Sequence, residues 1–270
     1  MKSLHIFFLF AAFVLAAVSC EKEPEITTEE PTERFGTFEI EFDNRAGNAN
    51  LQLGTSEFIY TNANGDDLKV NELKYFISAI ELVQADGTVH KDEMSSDGSK
   101  GFYLIDEADI ETSLVKLENV PEAKYEELRF TVGVDGTQVE EGAQTGALDV
   151  TNNMFWNWNA GWIFVRFEGA STSSTEVDQE VTYNIGGYQD SAENPMLADN
   201  LITVTIPLGY EVQVADGRNP HAHLYIDILK LFEGPNMIDF SENSIRHSPV
   251  SCQELAENFP SAFSLDHIHE

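Results

Sequence analysis

The sequence predicts an all-β domain: an antiparallel β-sandwich of about nine or ten strands with a short C-terminal helix. Three observations carry this. Apolar residues recur at every second position in successive runs. The runs are divided by turn chemistry, including the Asn64-Gly65 and Asp86-Gly87 pairs that suit hairpin turns. Long segments with a 3.6-residue apolar period do not occur.

The elements follow in order. GTFEIEFDN alternates, with Phe38, Ile40 and Phe42 on one face. KYFISAIELV is rich in aromatic and β-branched residues and reads as a central strand. GFYLID is a short strand, and YEELRFTVGVD alternates through Leu128, Phe130, Val132 and Val134. The stretch from Gly136 to Asn153 reads as a long ordered loop, a common place for function on a β-scaffold. In WIFVRFEG, Ile163, Val165 and Phe167 face the core while Trp162 and Phe164 face the other way. Both sets are apolar, so this strand should be covered on two sides. EVTYNIGGY, NLITVTIPLGYEV and HAHLYIDILKLFEG complete the strands. SCQELAENFPSAF fits a short helix starting near Ser251 and ending before Pro260.

The first residues, MKSLHIFFLFAAFVLAAVSC, read as a secretory signal over residues 1–19. Ala17-Val18-Ser19-Cys20 resembles a bacterial lipobox, which implies cleavage before Cys20 and its lipidation. Residues 20–35 are acidic, include two prolines and read as a disordered tether. Residues 36–270 form the folded domain. Lys22-Glu23 resembles a surface-export signal. The expected location is therefore the outer membrane, as a lipoprotein on its periplasmic face or at the cell surface, with the membrane contacted through the lipid anchor.

Net charge narrows the partners. Asp and Glu number 47 against 15 Lys and Arg, for a formal charge of -32. Nucleic acid is excluded as a partner because phosphates must be neutralised by cations. The sequence carries no nucleophile elbow, Walker loop, dinucleotide fingerprint, zinc CxxC pair or HExxH, so no enzymatic activity is expected. With Cys20 lipidated, Cys252 has no partner and reads as a buried, inert thiol; a soft-metal ligand is the alternative.

Histidines and tryptophans remain. His221 and His223 in HAHLYIDILKLF would share one strand face, suiting two imidazole ligands of one copper or zinc ion, or simply a polar strand edge. His90 and His247 are isolated and suit surface or capping roles. His267 and His269 form a second HxH, read as a frayed end. All three tryptophans lie in NMFWNWNAGWIFVRFEG. Trp162 belongs to a packed strand. Trp156 and Trp158 lie near a turn, where an indole could pack or stack on a ligand.

EGAQTGALDVTNNMFWNWNAGWIFVRFEG resembles the signature of the MbnP-like family of secreted and lipid-anchored bacterial proteins. LKYFISAIELVQADG, FYLID, FTVGVD, YNIGG, His247 and AENFPSAF follow in the family's order, so the resemblance spans about residues 36–265. It implies a β-sandwich and copper handling in which a tryptophan, oxidised to kynurenine, binds copper together with histidines. It also implies a partner, a di-haem enzyme related to cytochrome c peroxidases. Asn184 stands where relatives carry histidine, and Asn44 stands at a second such position. Asparagine is a hard oxygen ligand and does not replace imidazole for copper. The expected metal ligands are therefore His221 and His223, then His247, with Trp156 or Trp158 the candidate for oxidation. The competing reading is a metal-free surface module that uses the tryptophan loop against a glycan, a peptide or a partner protein.

Overall fold

The computed structural model describes residues 33–270 except 141, 143, 158 and 159. The predicted signal, Cys20 and Trp158 lie outside the described residues. Strands run in the order β1 (Phe35–Ala46), β2 (Ala49–Asn50), β3 (Tyr60–Thr61), β4 (Asp67–Val83), β5 (Val89–Lys91), β6 (Phe102–Asp106), β7 (Leu114–Pro121) and β8 (Ala123–Val132). They continue with β9 (Phe155–Asn157), β10 (Gly161–Ala170), β11 (Glu180–Gly186), β12 (Ile202–Val214), β13 (His221–Asp227), β14 (Ile245–Arg246) and β15 (Phe263–His269). Helices are brief: α1 (Phe240–Asn243) and, near the C-terminal end, α2 (Gln253–Asn258).

One sheet has the order β15-β13-β1-β2, with β7 also on β1. The other has the order β12-β8-β4-β10-β11-β14, with β3, β5, β6 and β9 attached along it. The central role expected of KYFISAIELV holds. The first half of β4 pairs with β10 and its second half with β8. The all-β class and the short C-terminal helix hold as well. Pairing is antiparallel except for β1–β13 and β11–β14, which are parallel. The chain passes through the other sheet between β1 and β13, so no hairpin dictates their relative direction.

The two sheets meet in an aromatic core. Phe42 of β1 lies edge-on to Tyr75 of β4 at 6.3 Å and to Phe130 of β8 at 5.7 Å. Phe263 of β15 reaches Phe130 at 5.4 Å, and Phe259 reaches Tyr75 at 6.2 Å. Burying each ring contributes about 1.5–3 kcal/mol. Alternation along β1 is as predicted: Phe38, Ile40 and Phe42 are buried, while Glu39, Glu41 and Asp43 face outward, partly exposed. In β10 the residues of both faces are buried, again as predicted.

Among the strands of seven residues or more, two had no sequence assignment. LVKLENVP became β7 and the C-terminal run FSLDHIH became β15. In β15 the inward residues are Phe263, Leu265 and Ile268, a spacing that breaks the two-residue period. The cause is a register shift between His223 and Leu224 of β13: Leu224 faces Leu265 while His223 faces His267. Asp266 is thus the extra residue of a β-bulge.

Asn44 has a structural post. Its Nδ2 donates to Glu107 Oε2 at 3.0 Å, and its Oδ1 accepts from the Tyr75 hydroxyl at 2.9 Å. Burial pushes the Glu107 carboxyl above its ordinary value, with Asp43 and Asp106 adding repulsion against the hydrogen bond from Asn44. A carboxyl held higher in the folded than in the unfolded chain favours folding while protonated and opposes it once ionised. Stability from this group therefore falls as pH rises above the unfolded carboxyl value. Glu107→Gln should raise the melting temperature at pH 7, and the gain over wild type should vanish in acid, read by thermal unfolding across pH.

Candidate functional site

The outward face of the β15-β13-β1 sheet gathers imidazoles and carboxylates. On β13, His221 and His223 point outward because Ala222, Leu224 and Ile226 take the core positions between and beyond them. Parallel pairing sets Glu41 opposite His223 and Asp43 opposite Tyr225. Antiparallel pairing sets His269 opposite His221 and His267 opposite His223. The two HxH motifs therefore stand side by side across one strand pair, and the second is ordered as the end of β15 and not frayed.

The contacts are close. His223 Nδ1 lies 3.3 Å from Asp266 Oδ2, and its Nε2 lies 3.5 Å from Asp43 Oδ2. His267 Nδ1 meets Asp266 Oδ2 at 2.7 Å, and its Nε2 meets His269 Nε2 at 2.8 Å. Ligand atoms of His223, Asp266 and His267 all lie within 4.8 Å of one another. His221 Nε2 is buried and makes no hydrogen bond, although Glu41 Oε2 stands 3.1 Å away. The Tyr225 hydroxyl, then His267 and His223, hold the exposed Asp266 carboxyl below the usual carboxylate range by hydrogen bonding. Arg45 pairs with Asp43 at 2.9 Å and lies 3.5 Å above the Tyr225 ring, which closes one end of the face with a cation.

His247 and Trp156 belong to a different place. β14 runs parallel to β11, with Thr182 opposite Ile245 and Tyr183 opposite Arg246. The next step brings His247 beside Asn184, and their side chains meet at 3.0 Å between Nδ2 and Nδ1. Asn200 fixes this segment to the end of β11: its Nδ2 donates to the carbonyls of Gly186 at 2.8 Å and Pro249 at 2.7 Å. Trp156, on the short β9 and not in a free loop, lines a cleft of about 300 Å³ with His247, Asn194, Met196 and Pro249. Trp162 is buried as predicted, its Nε1 3.5 Å from the Leu148 carbonyl oxygen and its ring 5.3 Å from Phe155. The predicted metal residues thus divide. His221 and His223 share the histidine face on one sheet, while His247 and Trp156 share the cleft on the other.

The donor chemistry separates the two places. Among the described residues the cleft offers one imidazole, already bonded to Asn184, beside the Trp156 indole, which as it stands is a poor ligand. The histidine face offers several imidazoles and carboxylates, which suit a borderline divalent ion. Cys252, under the cleft, is fully buried, with Sγ 3.2 Å from the Asn184 carbonyl oxygen. Burial pushes its thiol up to about 11, in line with the expected inert thiol.

These features define an all-β protein with a histidine-lined sheet face and a separate tryptophan cleft. The chain belongs to the MbnP family, whose profile matches residues 35–254. The fold is similar to that of "MbnP from Methylosinus trichosporium", with a TM-score of 0.50 at 16% identity, covering 75% of this chain and 79% of that one. No curated protein sequence matches the chain.

Two outcomes test the local geometry. A Cβ at Gly186 would stand 2.5 Å from the Trp162 carbonyl oxygen and 2.9 Å from Trp156 Cζ3. Gly186→Ala should therefore cost about 1–3 kcal/mol, read as a lower urea midpoint. In the folded protein Cys252 should resist a disulfide reagent at pH 8 and react promptly in denaturant; rapid native labelling would contradict its burial.

Proposed function

We propose that this MbnP-family protein is an extracytoplasmic, lipid-anchored copper-binding protein that acts by holding the metal and not by catalysis. The observation that supports copper is the outward projection of His221 and His223 from one strand beside Glu41 and Asp43. Imidazole suits Cu(II), which sits at the top of the affinity order for divalent first-row metals. Anchoring at the outer membrane, on the periplasmic face or at the cell surface, rests on the Cys20 motif and the acidic tether behind it.

The kynurenine part of the reading attaches to Trp156 and Trp158, and the di-haem partner enzyme is the oxidant class that goes with it. His247 would be the imidazole nearest such a product at Trp156. Peptide mass spectrometry of protein from its native host reads both proposals: lipidated Cys20 and an oxidised tryptophan are expected, and an unmodified chain removes them. The competing reading, a metal-free module for a glycan, a peptide or a partner protein, draws on the Trp156 cleft.

Purified protein loaded with one equivalent of Cu(II) and passed through a desalting column should retain the metal by elemental analysis. The double variant His221→Ala, His223→Ala should lose it while keeping its circular dichroism. Wild-type protein that retains no copper would sink the reading and favour the metal-free module.

A further inference from the structure

We infer that the metal site is built by two strands: its ligands are His223 on β13 and Asp266 and His267 on β15, with His269 as the adjoining imidazole, for a divalent copper ion. This inference rests on the copper-binding reading and adds residues that the HAH motif alone does not supply.

Four observations converge. Antiparallel register places His267 opposite His223 and His269 opposite His221. Directly opposed side chains in such a pair are about 4.5–5.5 Å apart at Cβ, close enough for both to reach one ion. The bulge at Asp266 breaks strand alternation, so Asp266 and His267 turn to the same outward face although they are neighbours in sequence. Bulges recur next to functional sites because they re-aim side chains in this way. Ligand atoms of His223, Asp266 and His267 already lie within 4.8 Å of one another, so small side-chain adjustments would bring them to one centre. His221 Nε2 is buried beside this group, 3.1 Å from Glu41 Oε2 and with no hydrogen bond of its own.

Surrounding groups fit the same charge. Asp43 stands 3.5 Å from His223 Nε2, where it can hold the imidazole's second nitrogen and so fix which nitrogen faces the ion. Imidazole and carboxylate donors select a borderline divalent ion over soft Cu(I), for which thiolate and thioether are the usual ligands. The buried Cys252 contacts Asn184, on the other sheet. A metal held here also cross-links β15, the outer strand of its sheet, to β13. Binding to the folded form alone then raises thermal stability by mass action.

The test uses the whole mature chain, Cu(II) as the probe, and the variants His267→Gln and Asp266→Asn, each checked for folding by circular dichroism. Wild type should give an EPR spectrum with imidazole nitrogen couplings and a copper-dependent rise in melting temperature. Each variant should lower copper affinity by about ten-fold or more, His267→Gln should lose one nitrogen coupling, and both should blunt the thermal rise. His90→Gln, on β5 of the other sheet, should leave affinity and spectrum unchanged. If wild type binds copper and His221→Ala with His223→Ala abolishes it, yet His267→Gln and Asp266→Asn match wild type, the two-strand site is wrong while the copper reading stands. Loss of the EPR signal in Trp156→Phe with a normal signal in His267→Gln would likewise overturn it and return the site to the cleft. If wild type binds no copper, both fall together.

Discussion

The parallel pairing of β1 with β13 is the constraint on which the rest depends. It commits Phe38, Ile40 and Phe42 to the core together with Ala222, Leu224 and Ile226. Side chains alternate along a strand with a period of two, so a slip of one residue would turn an entire apolar row to water. The register is therefore fixed by burial, and burial in turn fixes what faces outward. Glu41 comes to lie beside His223, Asp43 beside Tyr225, and the imidazoles stand among carboxylates in an order chosen by hydrophobic packing. β15 is held in the same way. Phe263 enters the core against Phe130, and an ion pair from Arg218 to Glu270 secures its far end.

Much of this was legible in the sequence because alternation is a local signal. β1, β4, β8 and β10 announce themselves through residues two apart, and the glycines of Asn64-Gly65 and Asp86-Gly87 adopt the positive φ that their turns require. β7 was not legible, because Lys116, Glu118 and Asn119 crowd its outward side and leave only Val115, Leu117 and Val120 to mark the core. Parallel pairing across a long crossover leaves no local trace at all. β15 was read as a loose end because a bulge disguises a strand: Leu265 and Ile268 sit three apart, a spacing that alternation rejects. A search that tolerates one inserted residue would find it, and would find the second HxH with it.

The candidate site was half visible. His221 and His223 were expected on one face and are there, but grouping them with His247 assumed a proximity that the topology does not provide. His247 follows β14 to the edge of the other sheet, and its neighbour is Asn184. The tryptophan segment divides as the residues suggest: Trp162 is packed and Trp156 lines a cleft. That cleft is closely built, with Asn200 tying two carbonyls together and Gly186 leaving room for the Trp156 ring and the Trp162 carbonyl. Its histidine partner is absorbed by an amide, so the chain's imidazole chemistry has its densest expression elsewhere, on a surface that neither HxH motif discloses by itself.

The bulge in β15 has a consequence for how these molecules meet one another. An outermost strand offers unpaired amides and carbonyls that can recruit a strand from a neighbouring copy, the first step toward sheet-to-sheet aggregation. Wherever copies are crowded together, such encounters become frequent. β15 is a poor template for them, since its inserted residue interrupts the regular spacing of peptide groups and its outward row is charged and polar. The inserted Asp266, which stands beside His267 on the outward face, thus also makes β15 an unfavourable edge for a neighbouring copy to pair with.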